Sequence, residues 1–330
     1  MQHLITSHWP LPTLILLLPI WVHCGTANPD DKKPPNDTDS QPQTLPDAGS
    51  DIPADTDSET TTATDSNTGT GGNPRPNPLR GPCPAKSEFG AFTLSFSEKT
   101  ADIEGRVRNG FVGSVSDEVT ESGNCRLIRK RVAFCDPACD PGDLCDDTGT
   151  CVPYPTNQNV GTITLTGGAL DIEMAPLEPS NLYFDTTLPY PPFAPNDELT
   201  MTAQGDTVSP FFLFGTGIPL ILTEDTEWTV TRDTEIPVSW TPSEVADALV
   251  TVYINIDQHG ASPAAIACEA ADTGVLTIPT EIVNGLLDNG FSGRPTGLLG
   301  RHTIDSTETD FSCVSFTVES VINVPVRMTL

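Results

Sequence analysis

The stretch "LVTVYINI" (Leu249–Ile256) decides the fold class of this 330-residue chain. Its apolar residues Val250, Val252 and Ile254 alternate with threonine, tyrosine and asparagine. Successive side chains of a β-strand point to opposite faces, so this spacing gives one apolar and one polar face. The stretch therefore predicts a half-buried strand of an antiparallel sheet.

The same period of two recurs in "FTLSF" (92–96) and "CVSFTVESV" (313–321), and breaks rich in glycine and proline separate many such runs. Many short strands joined by turns are typical of sandwiches and barrels. We therefore expect an all-β fold, an antiparallel β-sandwich-like module. Only "PTEIVNGLLDNG" (Pro279–Gly290) predicts a helix, with Thr280 as its N-cap and Gly290 at its end.

An apolar run of twelve residues, Leu11–Val22, lies near the N-terminus. It suits the core of a signal peptide and is too short to span a bilayer of roughly 30 Å. We assign residues 1–24 to a lipoprotein-type signal peptide. The expected protein is exported and reaches the membrane only through a lipid anchor, which places it at the outer membrane or cell surface. Without lipidation it would be secreted.

Residues 25–80 are rich in Asp, Thr, Ser and Pro and contain no aromatic residue. Such a segment cannot bury enough apolar surface to offset the entropy of ordering it. We expect a disordered acidic tether here. Short strands and a cysteine-rich cluster would follow in 81–155, and the β-sandwich-like module would occupy 156–330.

The charge of the chain restricts its partners. Its formal net charge is −29, and no Lys or Arg occurs from Ala133 to Thr231. A surface of this sign repels phosphates, so the sequence excludes nucleic acid as a partner. The one basic run, "RLIRKR" (Arg126–Arg131), is interpreted as the exposed positions of a strand.

Of the nine cysteines, Cys24 lies in the N-terminal region and the other eight follow from Cys83 onwards. Cys24 directly follows the apolar run, where bacterial lipoproteins carry their acylated cysteine, and we expect it to be lipidated. The residues before it, "WVH", depart from the usual lipobox, and the alternative is ordinary cleavage after Ala27. The eight remaining cysteines are an even number, which in an exported chain favours four disulfides.

Four of these cysteines lie in "FCDPACDPGDLCDDTGTC" (134–151). Their C-x3-C-x5-C-x5-C spacing lacks the C-x2-C pairs and histidines typical of zinc sites. A D-x-D-x-D-G calcium loop is also absent, although calcium at the acidic turns stays open. We predict disulfides and neither a metal nor a cofactor. The favoured pairs, with other connectivities open, are Cys135–Cys145, Cys139–Cys151, Cys83–Cys125 and Cys268–Cys313.

The segment "CDPACDPGDLCDDTGTC" resembles the short EGF-like or Dickkopf-like cysteine clusters of secreted proteins of myxobacterial type. The order of signal peptide, cysteine, acidic tether and β-rich module is similar to that of their surface lipoproteins. "VPYPTNQNVGTITLTGG" and "IACEAADTGVLTIPTEIVNGLL" fit the same group. The resemblance implies no known catalytic activity.

Motifs for catalysis are missing from the sequence. "GFSGR" (Gly290–Arg294) has Arg294 where a nucleophile elbow needs glycine, and His259 beside Asp257 sits in a polar loop sequence. No metalloprotease, P-loop or dinucleotide motif occurs. We therefore predict that the chain is not an enzyme. A glycan-active enzyme would need only two carboxylates, so it remains an alternative.

The expected function is that of a tethered β-module that binds an unknown protein or glycan at the cell surface. The alternative is a structural component of the envelope or matrix. Trp228 and Trp240 alternate with apolar strand residues, so we place them in the core. A possible contact loop, "LYFDTTLPYPPFAP", carries four aromatic residues that would either meet a partner or pack on the sandwich: Tyr183, Phe184, Tyr190 and Phe193.

The lipid anchor is tested on the mature N-terminus. Mass spectrometry of the protein from its native host should find an acylated Cys24 as the first residue. An unmodified N-terminus at Asn28 would mean ordinary cleavage after Ala27 and no anchor.

Overall fold

The computed structural model describes residues 74–84, 87–110, 114–255, 264–289 and 295–329. The predicted signal peptide, Cys24 and the tether up to residue 73 lie outside this part, as do His259 and "GFSGR". One helix, α1 (Thr280–Asp288), accompanies the strands. The strands are β1 (Glu88–Phe96), β2 (Ala101–Arg108), β3 (Ser114–Ser122), β4 (Cys125–Val132), β5 (Asp143–Cys145), β6 (Cys151–Pro153), β7 (Asn157–Gln158), β8 (Ile163–Gly167), β9 (Leu170–Met174), β10 (Tyr183–Asp185), β11 (Glu198–Ala203), β12 (Phe211–Thr216), β13 (Trp228–Thr231), β14 (Ile236–Ser239), β15 (Leu249–Asn255), β16 (Ala264–Ala271), β17 (Val275–Ile278), β18 (Thr296–Glu308), β19 (Cys313–Val324) and β20 (Val326–Thr329).

One large sheet organises these strands. Its order is β10-β2-β1-β19-β18-β15-β16-β4-β3, with β7 beside β2, and the hairpin of β18 and β19 lies at its centre. A four-stranded sheet, β12-β11-β8-β9, and three two-stranded pairs complete the fold. The predicted all-β, sandwich-like class is confirmed. Most pairs are antiparallel, but β1 runs parallel to β19 and β13 parallel to β20.

The large sheet carries two apolar cores on the same face. In the first core, Phe92 and Phe316 of the large sheet pack against Leu165 and Met201 of the four-stranded sheet. The second core lies on β15 and β16 and is covered by α1 and the short pairs; it contains Val252, Ile266, Trp228, Ile236, Ile282 and Leu286. β18 and β19, with 13 and 12 residues, are long enough to serve both cores.

The period-two predictions hold where the structure describes them. Val250, Val252 and Ile254 are fully buried on one face of β15, and both Trp228 and Trp240 are in the core. The basic run forms β4, with its arginines exposed and Leu127 buried.

The predicted helix is also present, but Thr280 does not cap it. Thr280 is instead the first helical residue, and Pro279 occupies the cap position with extended backbone and no side-chain bond. The carbonyl of Pro279 accepts the hydrogen bond of the Val283 N–H, so the backbone alone starts the helix.

Between the two cores, the inner face of β18 is polar. Arg301, Thr303 and Asp305 are buried there, and Ser320 of β19 lies on the same face. We call these four residues the polar seam. They bind the backbone of residues 214–221, which run along the inner face of β18.

Thr303 and Asp305 take the place of a neighbouring strand for β12. Thr303 Oγ1 donates to the Thr216 carbonyl at 3.0 Å and accepts from the Thr216 N–H at 3.3 Å. Asp305 Oδ2 accepts from the Phe214 N–H at 2.9 Å. Because β12 is the edge of its sheet, these bonds satisfy backbone groups that would otherwise be unpaired in the interior.

Arg301 is the most enclosed charge of the seam. Its five N–H groups are all used: Nε and Nη2 donate to Asp272, Nη1 to the carbonyls of Pro219 and Leu220, and Nη2 also to that of Thr241. Burial alone would raise the pKa of Asp272, but hydrogen bonds, first from Arg301 and then from Ser243 and Trp240, lower it. The pair is therefore fully hydrogen-bonded, which a buried ion pair requires.

The start of the described chain is fastened to this centre. The Arg75 guanidinium donates to the Gly215 carbonyl at 2.7 Å. Arg80 binds Asp305 through its backbone N–H, Nε and Nη2 at 3.0, 2.9 and 2.6 Å. Cys83 forms a disulfide with Cys313 at the start of β19.

Two of the four disulfides differ from the prediction. The structure has Cys135–Cys145 and Cys139–Cys151 as favoured, but Cys83 bonds Cys313 and Cys125 bonds Cys268. The predicted pairs assumed partners near in sequence. The sheet instead places β4 beside β16, with Cys125 opposite Cys268.

The large sheet also crosses the predicted domain boundary at residue 155. Strands from both sides of it share the large sheet: β1 pairs with β19 and β4 with β16. One compact unit covers Gly69–Leu330.

Removing Arg80 should show how much the free energy of unfolding depends on pairing the buried carboxylate of Asp305. In Arg80→Ala the fully buried Asp305 carboxylate loses its ion pair, and we expect a loss of at least about 2 kcal/mol in the free energy of unfolding. Denaturant unfolding followed by the fluorescence of buried Trp228 and Trp240 measures it. The exposed Arg106→Ala is the control and should change stability by less than about 0.5 kcal/mol. Adding Asp305→Asn should recover part of the loss; no recovery would contradict the role of the buried charge.

Removal of different disulfides should affect different extents of the structure. Cys83–Cys313 spans 230 residues and Cys139–Cys151 spans 12. Loop entropy gives about 5 and about 3 kcal/mol respectively. β5 and β6 pair only with each other, so Cys139→Ala with Cys151→Ala should leave the tryptophan transition unchanged. Cys83→Ala with Cys313→Ala should shift it to clearly lower denaturant. Equal shifts would refute the separation.

Candidate binding groove

The predicted contact loop does not form one surface, because two of its four aromatic residues are buried. Tyr183 lies in β10, where its hydroxyl donates to the Gly161 carbonyl and accepts from the Val160 N–H, both at 3.0 Å. Burial raises the pKa of Tyr183. Phe193 packs edge-on against Phe96 with ring centroids 5.0 Å apart. These two side chains hold the loop to the first core.

Phe184 and Tyr190 are exposed, at 54% and 43%, but they line different cavities. Phe184 borders a cavity of about 370 Å³ together with Ala91 and Thr93 of the large sheet. Tyr190 borders a larger one, described next. The hypothesis of a single contact loop is therefore replaced by two separate exposed aromatic residues.

Tyr190 stands over a cavity of about 500 Å³ that is almost entirely apolar. Its lining includes Phe96, Tyr190, Pro191, Phe193, Pro195, Ile218, Pro219 and Leu220. A second cavity of about 480 Å³ shares Leu220 and continues past the β1–β2 turn to Leu222 and Ile322. We call the two cavities together the apolar groove.

Close backbone contacts hold the two walls of the groove together. Asp197 Oδ2 accepts from the Ala194 N–H at 2.7 Å, and the Gly217 N–H donates to the Asp197 carbonyl at 2.8 Å. A Cβ on Gly217 would lie 2.2 Å from the Ala194 carbonyl oxygen, so only glycine allows this approach. The left-handed backbone of Asn196 (φ 69°) makes the turn between them.

Sequence reasoning missed the second wall. Strand periodicity assigns no element to the run "GIPLIL" (Gly217–Leu222), whose first residues belong to the glycine- and proline-containing break "GTGIP" (215–219). It is indeed outside any strand, but it carries the apolar side chains of the wall and leaves Leu222 54% exposed. An apolar run without strand periodicity was the available signal.

The rim of the groove is mostly acidic. Glu98 lines it, exposed Asp171 lies two residues from Ala169 in the lining, and half-buried Asp197 lies two residues from Pro195. Lys99 is the one Lys or Arg among the described lining residues. Such a surface favours ligands that carry positive charge.

A separate concavity of about 330 Å³ lies above Gly300, on the face of the large sheet opposite to the two cores. It brings together a hydroxyl, an imidazole and a carboxylate: Thr251 Oγ1 is 3.4 Å from His302 Nδ1, and His302 Nε2 is 3.6 Å from Glu269. His302 lowers the pKa of Glu269. Both distances exceed those of a working nucleophile and base, and the backbone N–H groups of these central strands belong to the sheet ladder. Among the described residues, these strands therefore leave no backbone N–H group free to form an oxyanion hole, so this geometry does not support acyl transfer.

The cysteine cluster does not offer a zinc site. The sulfurs of Cys135, Cys139 and Cys151 lie within 4.8 Å of one another, but each is part of a disulfide. Zinc needs thiolates, which these sulfurs cannot provide.

Within the described residues, no helix has the length and apolar character needed to cross a membrane. No protein-family model matches the chain, and no curated protein matches it. Among solved structures, a crystal structure of the FN1–FN3 domains of chicken CNTN1 matches 69% of this chain and 78% of its own, with 8% identity and a TM-score of 0.19. That TM-score does not show a common fold, so the sandwich assignment rests on the strands and cores described above.

Proposed function

We propose that this chain is a non-catalytic binding protein of the cell surface and that its apolar groove receives a segment of a partner protein. The groove carries the proposal. It is open, its walls are fixed by the Ala194, Asp197 and Gly217 backbone contacts, and Tyr190 and Leu222 stand exposed along it. Exposed aromatic and aliphatic side chains on a rigid support are typical anchors of binding surfaces.

The chemistry of the groove favours a polypeptide over a glycan. Its lining presents mainly carbon atoms, whereas a sugar needs a hydrogen-bonding partner for most hydroxyls. The acidic rim adds a preference for Lys or Arg beside the apolar residues of the partner. We therefore propose an extended segment that combines apolar and basic side chains.

Export and anchoring belong to the same proposal. Four disulfides in the described chain support an oxidising compartment. Arg75, Arg80 and Cys83 fix the start of the unit firmly, as the attachment of a tether requires. Because residues 74–80 belong to the folded unit, the predicted boundary of the tether at residue 80 is too late; we propose that residues 25–73 serve as the tether and that Cys24 carries the lipid.

The groove is tested by polar substitution of its exposed anchors. The mature chain, Tyr190→Ser with Leu222→Ser, and the control Leu177→Ser are each immobilised and incubated with envelope extract of the native host. At least one identified protein should be retained by wild type and control but be depleted about tenfold on the double variant, as expected for loss of anchor residues.

A synthetic peptide from that protein should then bind wild type and control equally and the double variant about tenfold more weakly. Retention of the same proteins by all three chains would contradict the proposal. So would a peptide that binds independently of the groove substitutions.

A further inference from the structure

The two most exposed large hydrophobic side chains among the described residues border the same small element. Phe134 is 80% exposed and Tyr154 is 62% exposed. Phe134 directly precedes the first cysteine of the cluster, and Tyr154 directly follows β6. We call residues 134–154 the cystine knob. The apolar groove has no residue in common with it.

The cystine knob is a stiff support for both rings. Its two disulfides are interleaved, and β5 and β6 pair between them with Cys145 opposite Cys151. The Tyr154 N–H donates to the Gly142 carbonyl at 3.1 Å, which fixes the backbone at the second ring. From these connections the two Cα atoms are at most about 25 Å apart, within the width of one protein interface.

The loop between the last two cysteines is also ordered. Asp146 Oδ1 accepts from the N–H groups of Thr148 and Thr150 at 2.9 and 2.8 Å. Little conformational entropy is therefore left to lose when a partner binds. An exposed ring on a mobile loop would forfeit much of its binding energy to ordering; a ring on this support would not.

The charge on the cystine knob itself has one sign, because residues 134–154 contain five aspartates and no Lys, Arg or Glu. Asp136 and Asp140 are exposed on the cystine knob, and Asp143 is half exposed. Arg131 at the end of β4 is the nearest preceding cation in the sequence; it pairs with Asp117 at 2.6 Å and also interacts with Asp147 of the knob. An anionic membrane or nucleic acid would be repelled by such a surface.

We propose that the cystine knob is a second docking surface, for a partner protein that presents arginine or lysine side chains around an apolar depression. Phe134 and Tyr154 fill the depression, and the partner's cations meet the faces of the rings and the carboxylates of Asp136 and Asp140. Both contacts favour the same partner chemistry, because a guanidinium stacks on an aromatic ring and pairs with a carboxylate. This surface gives the chain two separate docking sites.

A random library of 12-residue peptides displayed on phage tests the proposal. The library is selected on the disulfide-intact mature chain after removal of phage that bind Phe134→Ser with Tyr154→Ser. Enriched peptides should carry an excess of Arg and Lys together with apolar residues. In fluorescence polarisation they should bind the double variant at least tenfold more weakly than wild type, and binding should weaken between 150 and 500 mM NaCl by the screening of charges.

Matched variants separate this surface from other effects. Val275→Ser removes a side chain that is 60% exposed elsewhere and should bind the peptides as wild type does. Tyr190→Ser with Leu222→Ser should also bind them normally, so failure of the apolar groove and failure of the cystine knob give different results. Intact mass with all disulfides present and an unchanged tryptophan transition show that each variant is folded.

Three results would overturn the proposal. The first is that no peptide is enriched on wild type over the double variant. The second is that the enriched peptides have no excess of basic residues or bind independently of salt. The third is that Val275→Ser weakens binding as much as the knob variant does.

Discussion

The fold depends on how residues 214–221 satisfy, in the interior, the backbone hydrogen bonds that no neighbouring strand provides. Residues 214–221 run between two apolar cores, where each unpaired polar group would cost about 1–3 kcal/mol. Side chains of the polar seam supply the partners instead of a neighbouring strand. Arg301 binds two carbonyls of this stretch, Thr303 binds both polar groups of Thr216, and Asp305 binds the Phe214 N–H. Among described residues, Asn181 Oδ1 is the one buried side-chain atom left without a partner.

This solution explains why a single sheet carries both cores. A further strand beside β12 would pair the backbone groups at its free edge. It would also separate the first core from the second, as in an independent sandwich. Here the edge of β12 rests on the inner face of β18, and the chain continues along that face to the second core. β18 and β19 must therefore be long enough to pass beneath the crossing. Arg80 and the Cys83–Cys313 bond add the start of the chain to the same place, so the centre joins three distant parts of the sequence.

Sequence patterns predicted the strands whose buried face is apolar and missed those whose buried face carries the polar seam. β15 alternates cleanly because its inner residues Val250, Val252 and Ile254 are apolar. In the second half of β18 the inner positions are Arg301, Thr303 and Asp305, while apolar Ile304 lies on the outer face. The rule that apolar residues mark the buried face would therefore assign the two faces of this half wrongly. The same limit affected the disulfides. Local spacing gave the interleaved cluster, but Cys83–Cys313 depends on a parallel β1–β19 pair between distant segments, which periodicity cannot reveal.

The groove is a consequence of the same constraint. After Thr216 the crossing chain is no longer a strand, and Arg301 holds it by the carbonyls of Pro219 and Leu220. With their backbone turned towards the buried guanidinium, these residues form the groove wall next to residues 190–195. The polar group that holds this stretch, the guanidinium of Arg301, is buried, whereas the apolar side chains of the stretch line the groove. In most surface segments the polar groups face solvent and the apolar groups are buried. Residues 217–222, which lie outside any strand, therefore line a surface suited to receive another chain, and Arg301, itself paired with Asp272, adds to the contacts that fix this wall.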